Sequence, residues 1–253
     1  MNSVFYNCSS LTSINFNKDI STKDLKDISY LFYNCSSLKT INIAFLNTKN
    51  VESMNNMFEG CKSLTSIIFG PNFDTSNVHS ISRMFSGCHS LKSIDYDLII
   101  TGSVGILAYL FSDCYSLTSL NLKNFDVSNV FNFEYMLHNC YSLETIDISN
   151  FKIQSYSNLH GMFSGCSLLT SIDLSNLMPN YVNCEQIFND CPKLKYVDFS
   201  FLRGDYRPFN ISFFNNNITE NGILILNEGF YNYYIYGKYE ICPNGWTLKL
   251  VNE

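Results

Sequence analysis

Met57-Phe58-Glu59-Gly60-Cys61-Lys62-Ser63-Leu64-Thr65-Ser66-Ile67-Ile68-Phe69, followed by Phe73-Asp74-Thr75-Ser76-Asn77-Val78, is the stretch that decides the fold. Variants of it return along most of the chain. A cysteine marks each return, at Cys8, Cys35, Cys61, Cys88, Cys114, Cys140, Cys166 and Cys191, with successive steps of 27, 26, 27, 26, 26, 26 and 25 residues. A fixed period in that range means stacked supersecondary units, none of which can bury its apolar side alone.

Each unit has three parts. Before the cysteine, apolar residues fall at i, i+3, i+6 and i+7, as in Val51-Met54-Met57-Phe58 and Val104-Leu107-Leu110-Phe111. That spacing predicts one and a half to two turns of helix or 3₁₀ helix, buried on one side. After the cysteine comes Cys-x-x-Leu-x-x-Ile-x-Φ, with Φ a large apolar residue, as in Leu64-Ile67-Phe69 and Leu169-Ile172-Leu174. Its last two apolar positions alternate with polar ones, the period of a strand with one buried face. A turn rich in Asn, Asp and Ser then closes the unit, as in Asp74-Thr75-Ser76-Asn77, where short polar side chains bond nearby backbone groups. The expected fold class is an α/β repeat solenoid. About eight strand-plus-short-helix units stack on one parallel sheet, closed by an irregular C-terminal cap.

Composition narrows the function. Hydrophobic residues make up 46% and aromatics 15% of the 253 residues, ample for a packed core. The net charge is -6, from 16 basic and 22 acidic residues, with no basic run, which argues against nucleic acid or an anionic membrane as partner. No run approaches the roughly 18 apolar residues of a membrane span. The start, Met1-Asn2-Ser3, does not read as a signal peptide. The chain is therefore expected to be soluble as given.

Eight of the ten cysteines share one repeat position, which suits a ladder of buried free thiols better than bridges, because equivalent side chains point in parallel. A serine there, as in Cys114→Ser, is expected to cost roughly 1–3 kcal/mol by burying a poorly satisfied hydroxyl. Cys184 and Cys242 lie off the ladder and could pair or be free. No CxxC pair or Cys/His cluster suggests zinc, so no metal and no cofactor is expected.

The Met-Phe-x-x-Cys lead-in with Leu-x-x-Ile-x-Leu behind it resembles the BspA-like leucine-rich repeat family of microbial surface proteins. Phe163-Ser164-Gly165-Cys166 and Leu169-Thr170-Ser171-Ile172-Asp173-Leu174-Ser175-Asn176 carry the likeness most closely. The resemblance covers residues 1–200, and the turns at Tyr181–Cys184 and Ile99–Ser103 depart from it. It implies a surface or secreted, adhesin-like role; the bare chain leaves a cytoplasmic place open. Residues 201–253 change composition, with Gly222–Leu226 apolar, five tyrosines from Tyr231 to Tyr239, and Trp246. They are expected to be a capping segment of two or three strands.

Nothing resembles a catalytic constellation. His79, His89, His138 and His160 fall at different repeat positions, and no phosphate loop, HExxH or GxSxG occurs, so no enzyme is expected. Surface information lies in the outward residues of the strand segment: Thr65, Ser66, Ile68, Lys92, Asp95, Asn121, Glu144, Asp147, Asp173, Lys195, Tyr196 and Asp198. Two readings are open for them. One is a solvated sheet face with hydroxyl ladders; the other is a binding face for a protein or glycan. A different role is assembly, in which the first rung, with Phe5, Leu11, Ile14 and Phe16, stacks on another chain at its unpaired edge.

Overall fold

A computed structural model describes residues 1–16, 20–94, 101–122, 125–153, 156–177, 181–202, 212–214, 218–232 and 242–252. The chain winds as a solenoid of parallel β structure, as the period requires. Its strands are short: β1 (Thr40–Asn42), β2 (Ser66–Ile68), β3 (Tyr156–Asn158), β4 (Ser171–Asp173), β5 (Tyr181–Asn183), β6 (Tyr196–Phe199), β7 (Ile223–Asn227) and β8 (Thr247–Val251). Among the described residues α-helix is limited to α1 (Glu228–Phe230).

Parallel pairing runs along two lines, where the sequence suggested one. The first is the expected strand: β1 pairs β2 with Ile41 beside Ile67, and β4, β6, β7 and β8 form one four-stranded sheet in that order. A bridge between Asn121 and Asp147 belongs to the same line. The second lies before each cysteine and links Asp27, Ser53, Ser80, Ile106, Asn132, Asn158 and Asn183, seven successive turns of the chain.

The core lies between these two lines. Met57, Phe58, Cys61 and Leu64 of the opening stretch are all fully buried, as are their counterparts in the turns from Leu31 onward, while Phe5, Cys8 and Leu11 of the first turn are partly buried. Phe5, Phe32, Phe58, Phe85 and Phe111 stack face on face, with ring centroids 5.3–5.8 Å apart and planes within 9°.

The segment expected to be helical is instead a run of tight turns, and its hydrogen bonds say why. Leu31, Tyr33 and Cys35 each donate their N–H three residues back, to Ile28, Tyr30 and Phe32. The alternate donors, Tyr30, Phe32 and Asn34, reach across to Asn55, Met57 and Glu59 of the next turn. An α-helix directs every interior N–H along its own axis and leaves none for a neighbour. Two residues per unit also carry positive φ, four apart: Tyr30 and Asn34, Asn56 and Gly60, Arg83 and Gly87, Tyr109 and Asp113, Tyr135 and Asn139. The second of each pair is Asn, Gly or Asp, the residues that enter the left-handed region at least cost.

All ten cysteines are free, Cys184 and Cys242 included. Each ladder thiol from Cys35 onward donates to a main-chain carbonyl of the preceding turn: Cys61 Sγ to Phe32 O at 3.1 Å, Cys114 Sγ to Phe85 O at 3.2 Å, Cys140 Sγ to Phe111 O at 3.3 Å. An acceptor thus waits at the ladder position, and a serine hydroxyl there would not go unsatisfied. The reason first given for a cost at Cys114→Ser does not hold.

Near the C-terminus, where two or three strands were expected, parallel pairing continues among the described residues. β7 lies parallel on β6 with Leu224 beside Val197, and β8 on β7 with Leu248 beside Leu224. Trp246 covers Gly222, where a side chain would collide with the indole, and donates its Nε1–H to Thr219 O at 2.7 Å. Most of the tyrosine-rich stretch lies outside the described residues.

Candidate binding face

The strand line builds the face. In β1 and β4 the middle residue points inward and its neighbours outward, so Thr40 and Asn42, and Ser171 and Asp173, face solvent. Parallel register then repeats this from turn to turn. It sets Ser66 beside Thr40, Ile68 beside Asn42, Asp147 beside Asn121, Tyr196 beside Ser171, and Asp198 beside Asp173. Of the twelve outward residues named from sequence, eleven are described. Thr65, Ser66, Ile68, Lys92, Asn121, Glu144, Asp147, Asp173 and Lys195 are exposed, and Tyr196 and Asp198 partly so; Asp95 lies outside the described residues. Ile68 is 56% exposed among polar neighbours.

Several of these groups also serve the fold. Asn42, Asp147, Asp173 and Asp198 each accept, through a side-chain oxygen, the N–H two residues on, at 2.8–2.9 Å, which turns the chain out of the strand. The hydrogen bonds from Ser149 hold the Asp147 carboxyl below the usual carboxylate range. The Thr65 hydroxyl donates to Lys39 O of the preceding turn at 3.0 Å. Burial raises the Tyr196 phenol, and the carboxylates of Asp198 and Asp173 add to the rise. Beyond these bonds the face carries the charged ends of Lys92, Glu144 and Lys195, the exposed Ile68 and the partly exposed Tyr196. Among the described residues no group of three His, Cys, Asp or Glu is placed to hold a metal ion, and no helix is long and apolar enough to cross a membrane.

A polar and aromatic cluster elsewhere was not found from sequence. The Arg83 guanidinium lies 3.8 Å from the centre of the Tyr109 ring, and Tyr109 Oη donates to Glu134 Oε1 at 3.3 Å. Tyr135 Oη and His160 Nε2 are 2.9 Å apart, with Glu185 Oε2 at 3.9 Å from His160 Nδ1. Arg83, Tyr109, Tyr135 and Gly161 all occupy the first positive-φ position of their units. That column was the signal, but without the turn geometry it had no meaning. His89, Tyr115 and Tyr141 form a second surface stack, with centroids 4.3 and 4.9 Å apart. Burial, with Lys62 nearby, lowers the His89 pKa.

None of the curated proteins is detectably similar in sequence. Two solved structures show a distant likeness. One is a leucine-rich repeat protein from Bacteroides ovatus, 18% identical, covering 99% of this chain and 86% of that one, with a TM-score of 0.33. The other is a leucine rich cell surface protein from Faecalibacterium prausnitzii, 18% identical, covering 87% and 75%, with a TM-score of 0.36. A family profile matches twice in tandem, over residues 1–99 and 95–197, which together take in most of the chain and nearly all its cysteine-marked turns. The chain belongs to the family described as "Mycoplasma protein of unknown function, DUF285".

Proposed function

We propose that this repeat module is a non-enzymatic binding protein that recognises a protein partner through the outward face of its strand line. The supporting observation is the exposure of Ile68 in a column that, among the described residues from Asn42 to Asp198, otherwise carries Asn and Asp, and that β7 and β8 continue with Ile225 and Lys249. The turn-forming role explains Asn42, Asp147, Asp173 and Asp198; Ile68 can make no such bond, and nothing in the scaffold asks for an apolar side chain there. Lys92, Glu144 and Lys195 are likewise exposed beyond any need of the core. Solenoids present extended surfaces of this kind, on which specificity comes from residues that break the repeat.

A protein suits the face better than a glycan. A sugar platform needs open ring faces, whereas Tyr115 and Tyr141 stack on each other and, among the described residues, the aromatic on the strand face is the partly exposed Tyr196. Similarity of the repeats to the BspA-like kind favours display at a cell surface with an adhesive role. The test is binding of the tagged chain to arrayed extracellular proteins and glycans, repeated with Ile68→Glu combined with Asp173→Asn. Hits of the native chain should weaken at least tenfold. Hits that survive in the double variant would place binding elsewhere.

A further inference from the structure

We propose that the chain carries a second binding site, for a neutral oligosaccharide, in a groove just ahead of the second pairing line that ends at Phe131 and Tyr156. The site is separate from the strand face and stands independently of it.

Two columns of side chains build the groove, one on each side of the buried Val51 and Val78. One column is Asp24, Asn50, Asn77, Ser103 and Asn129, all exposed. The other is Lys26, Glu52, His79, Gly105 and Phe131, exposed except for the half-buried glycine. Main-chain bonds fix the register of the second column. Glu52, His79, Gly105 and Phe131 each donate their N–H to the carbonyl of the residue one turn earlier, at 2.8–3.0 Å. Asp24, Lys26, Asn50, Glu52, Asn77 and His79 line a cleft of about 370 Å³, within the size range of small-molecule sites.

The polar groups in this cleft are oriented but not used up. Asn50 Nδ2 donates to Lys23 O at 2.9 Å, Asn77 Nδ2 to Lys49 O at 2.8 Å, and Asn129 Nδ2 to Gly102 O at 2.6 Å. Each bond holds its amide in one orientation and leaves the amide oxygen as an acceptor. Among the described residues Asp24, Lys26, Glu52 and His79 form no ion pair. Two carboxylates stand beside a lysine and an imidazole, so the cleft has no strong sign with which to select an ion. Acceptors and donors at fixed spacing suit a row of hydroxyls, each of which both donates and accepts.

The rings supply the other half of the site. Phe131 is 51% exposed and Tyr156 70%, and the scaffold explains neither. Phe131 stands in the column that earlier turns fill with Lys26, Glu52 and His79. Its ring edge lies over Gly105, where a Cβ would come within 2.7 Å of it, so the ring sits one turn from His79 at the end of the cleft. Tyr156 stands where earlier turns bury Val51, Val78, Val104 and Val130. In β3 the alternation is inverted: Ser157 points in and the tyrosine out. The Tyr156 ring leans on Tyr181, with centroids 5.4 Å apart, which steadies it and leaves most of it open. A sugar lays its C–H face on such a ring and turns its hydroxyls to polar groups alongside. An apolar peptide would instead strip water from the amide and carboxylate oxygens without replacing it.

Saturation-transfer NMR of the whole chain tests the site, with neutral hexasaccharides of glucose, mannose, galactose and N-acetylglucosamine offered singly. At least one should receive saturation at its ring C–H protons, and titration gives its affinity. Phe131→Ala with Tyr156→Val, which restores the valine of the earlier turns, should weaken that affinity about tenfold or more. Glu52→Gln with His79→Gln changes only exposed side chains and should weaken it about threefold or more, so the test holds even where the ring variant does not fold. Ile68→Glu with Asp173→Asn should leave sugar binding unchanged, which separates this site from the strand face. The proposal is overturned if none of the hexasaccharides binds, or if both groove variants bind as the native chain does. Sugar binding that the strand-face variant abolishes, or that only an oligogalacturonate shows, overturns it as well.

Discussion

Raising the pH from 7 to 9 is expected to remove a large share of the stability of this fold. Cys35, Cys61, Cys88, Cys114, Cys140, Cys166, Cys184 and Cys191 are fully buried. Burial pushes the Cys35 thiol up to about 11 and Cys191 to about 12, and the other six also rise, with burial as the main cause in each. In the unfolded chain the same thiols titrate near ~8.5. Below that pH both states keep their protons and the full stability is present. Above it the unfolded chain releases protons that the folded chain holds, so unfolding becomes more favourable until the folded values are reached. At pH 9 each thiol contributes about 0.8 kcal/mol to this loss, about 6 kcal/mol for all eight, against a typical total of about 5–15 kcal/mol. Urea unfolding followed by circular dichroism at pH 7, 8 and 9, with a phosphine reductant present throughout, measures it. The midpoint should fall steeply above pH 8 while the denaturant slope stays constant. Equal midpoints at pH 7 and 9 would mean that the thiols ionise in the folded chain, and the ladder would not be buried.

Four further outcomes are expected. Cys114→Ser should cost about 1 kcal/mol, since its hydroxyl can donate to Phe85 O, and Cys114→Ala about 2 kcal/mol, since it loses bond and volume; thermal melts that rank serine below alanine would contradict the bond. Gly161→Ala should cost about 2 kcal/mol or more, because φ is +60° and the new methyl would meet the Tyr135 ring, whereas Asn139→Gly should cost about 1 kcal/mol or less by the same melts, losing the bond from Asn139 Nδ2 to Asp113 Oδ1 but gaining freedom at positive φ. Hydrogen bonds from Ser76, Ser128 and Ser149 lower the carboxyls of Asp74, Asp126 and Asp147, so their contribution is present above about pH 4 and lost as pH falls further. The triple Asp→Asn variant should flatten the acid limb of a stability–pH curve. Thr48 is fully buried and its hydroxyl donates to Asp74 O at 2.7 Å while accepting from Asp74 N, so Thr48→Val should destabilise by about 1–3 kcal/mol in urea melts.

The strand line was legible because alternation over Ile67 and Phe69 repeats with an almost constant period, and one buried face fixes which residues look outward. The turns before the cysteine were not. Apolar residues three apart arise equally from a helix and from successive turns closed three residues back, and Val51-Met54-Met57-Phe58 is too short to separate the two. The discriminating signal was the residue just before each cysteine, Asn34, Gly60, Gly87, Asp113, Asn139, Gly165 and Asp190, all at positive φ. The second pairing line was hidden because it gives each turn only one to three paired residues, too few for a two-residue period to show. On the face, Asp147 and Asp173 could be placed but not weighed, since an aspartate that turns the chain and one that awaits a partner read alike. Arg83 over Tyr109 joins residues a full turn apart, and only the register brings them together.

Where the chain can change length follows from the alternation of donors within and between turns. From Val51, Val78, Val104 and Val130 to the next cysteine there are always ten residues, and from Cys35, Cys61 and Cys166 to the inward strand residue always six. One residue added there would send every second N–H to the wrong side. The slack lies after the strand, where Ile67 to Val78 takes eleven residues and Ile41 to Val51 ten. The extra residue falls at Gly70-Pro71-Asn72, with Pro71 and Asn72 exposed and Gly70 pressed so close on Ala44 that a side chain would not fit. This corner is a splice point. A loop or an epitope grafted between Pro71 and Asn72 would open the turn closed by Phe73 N–H on Gly70 O but leave the turns on both sides in phase, so variation in chain length costs least there.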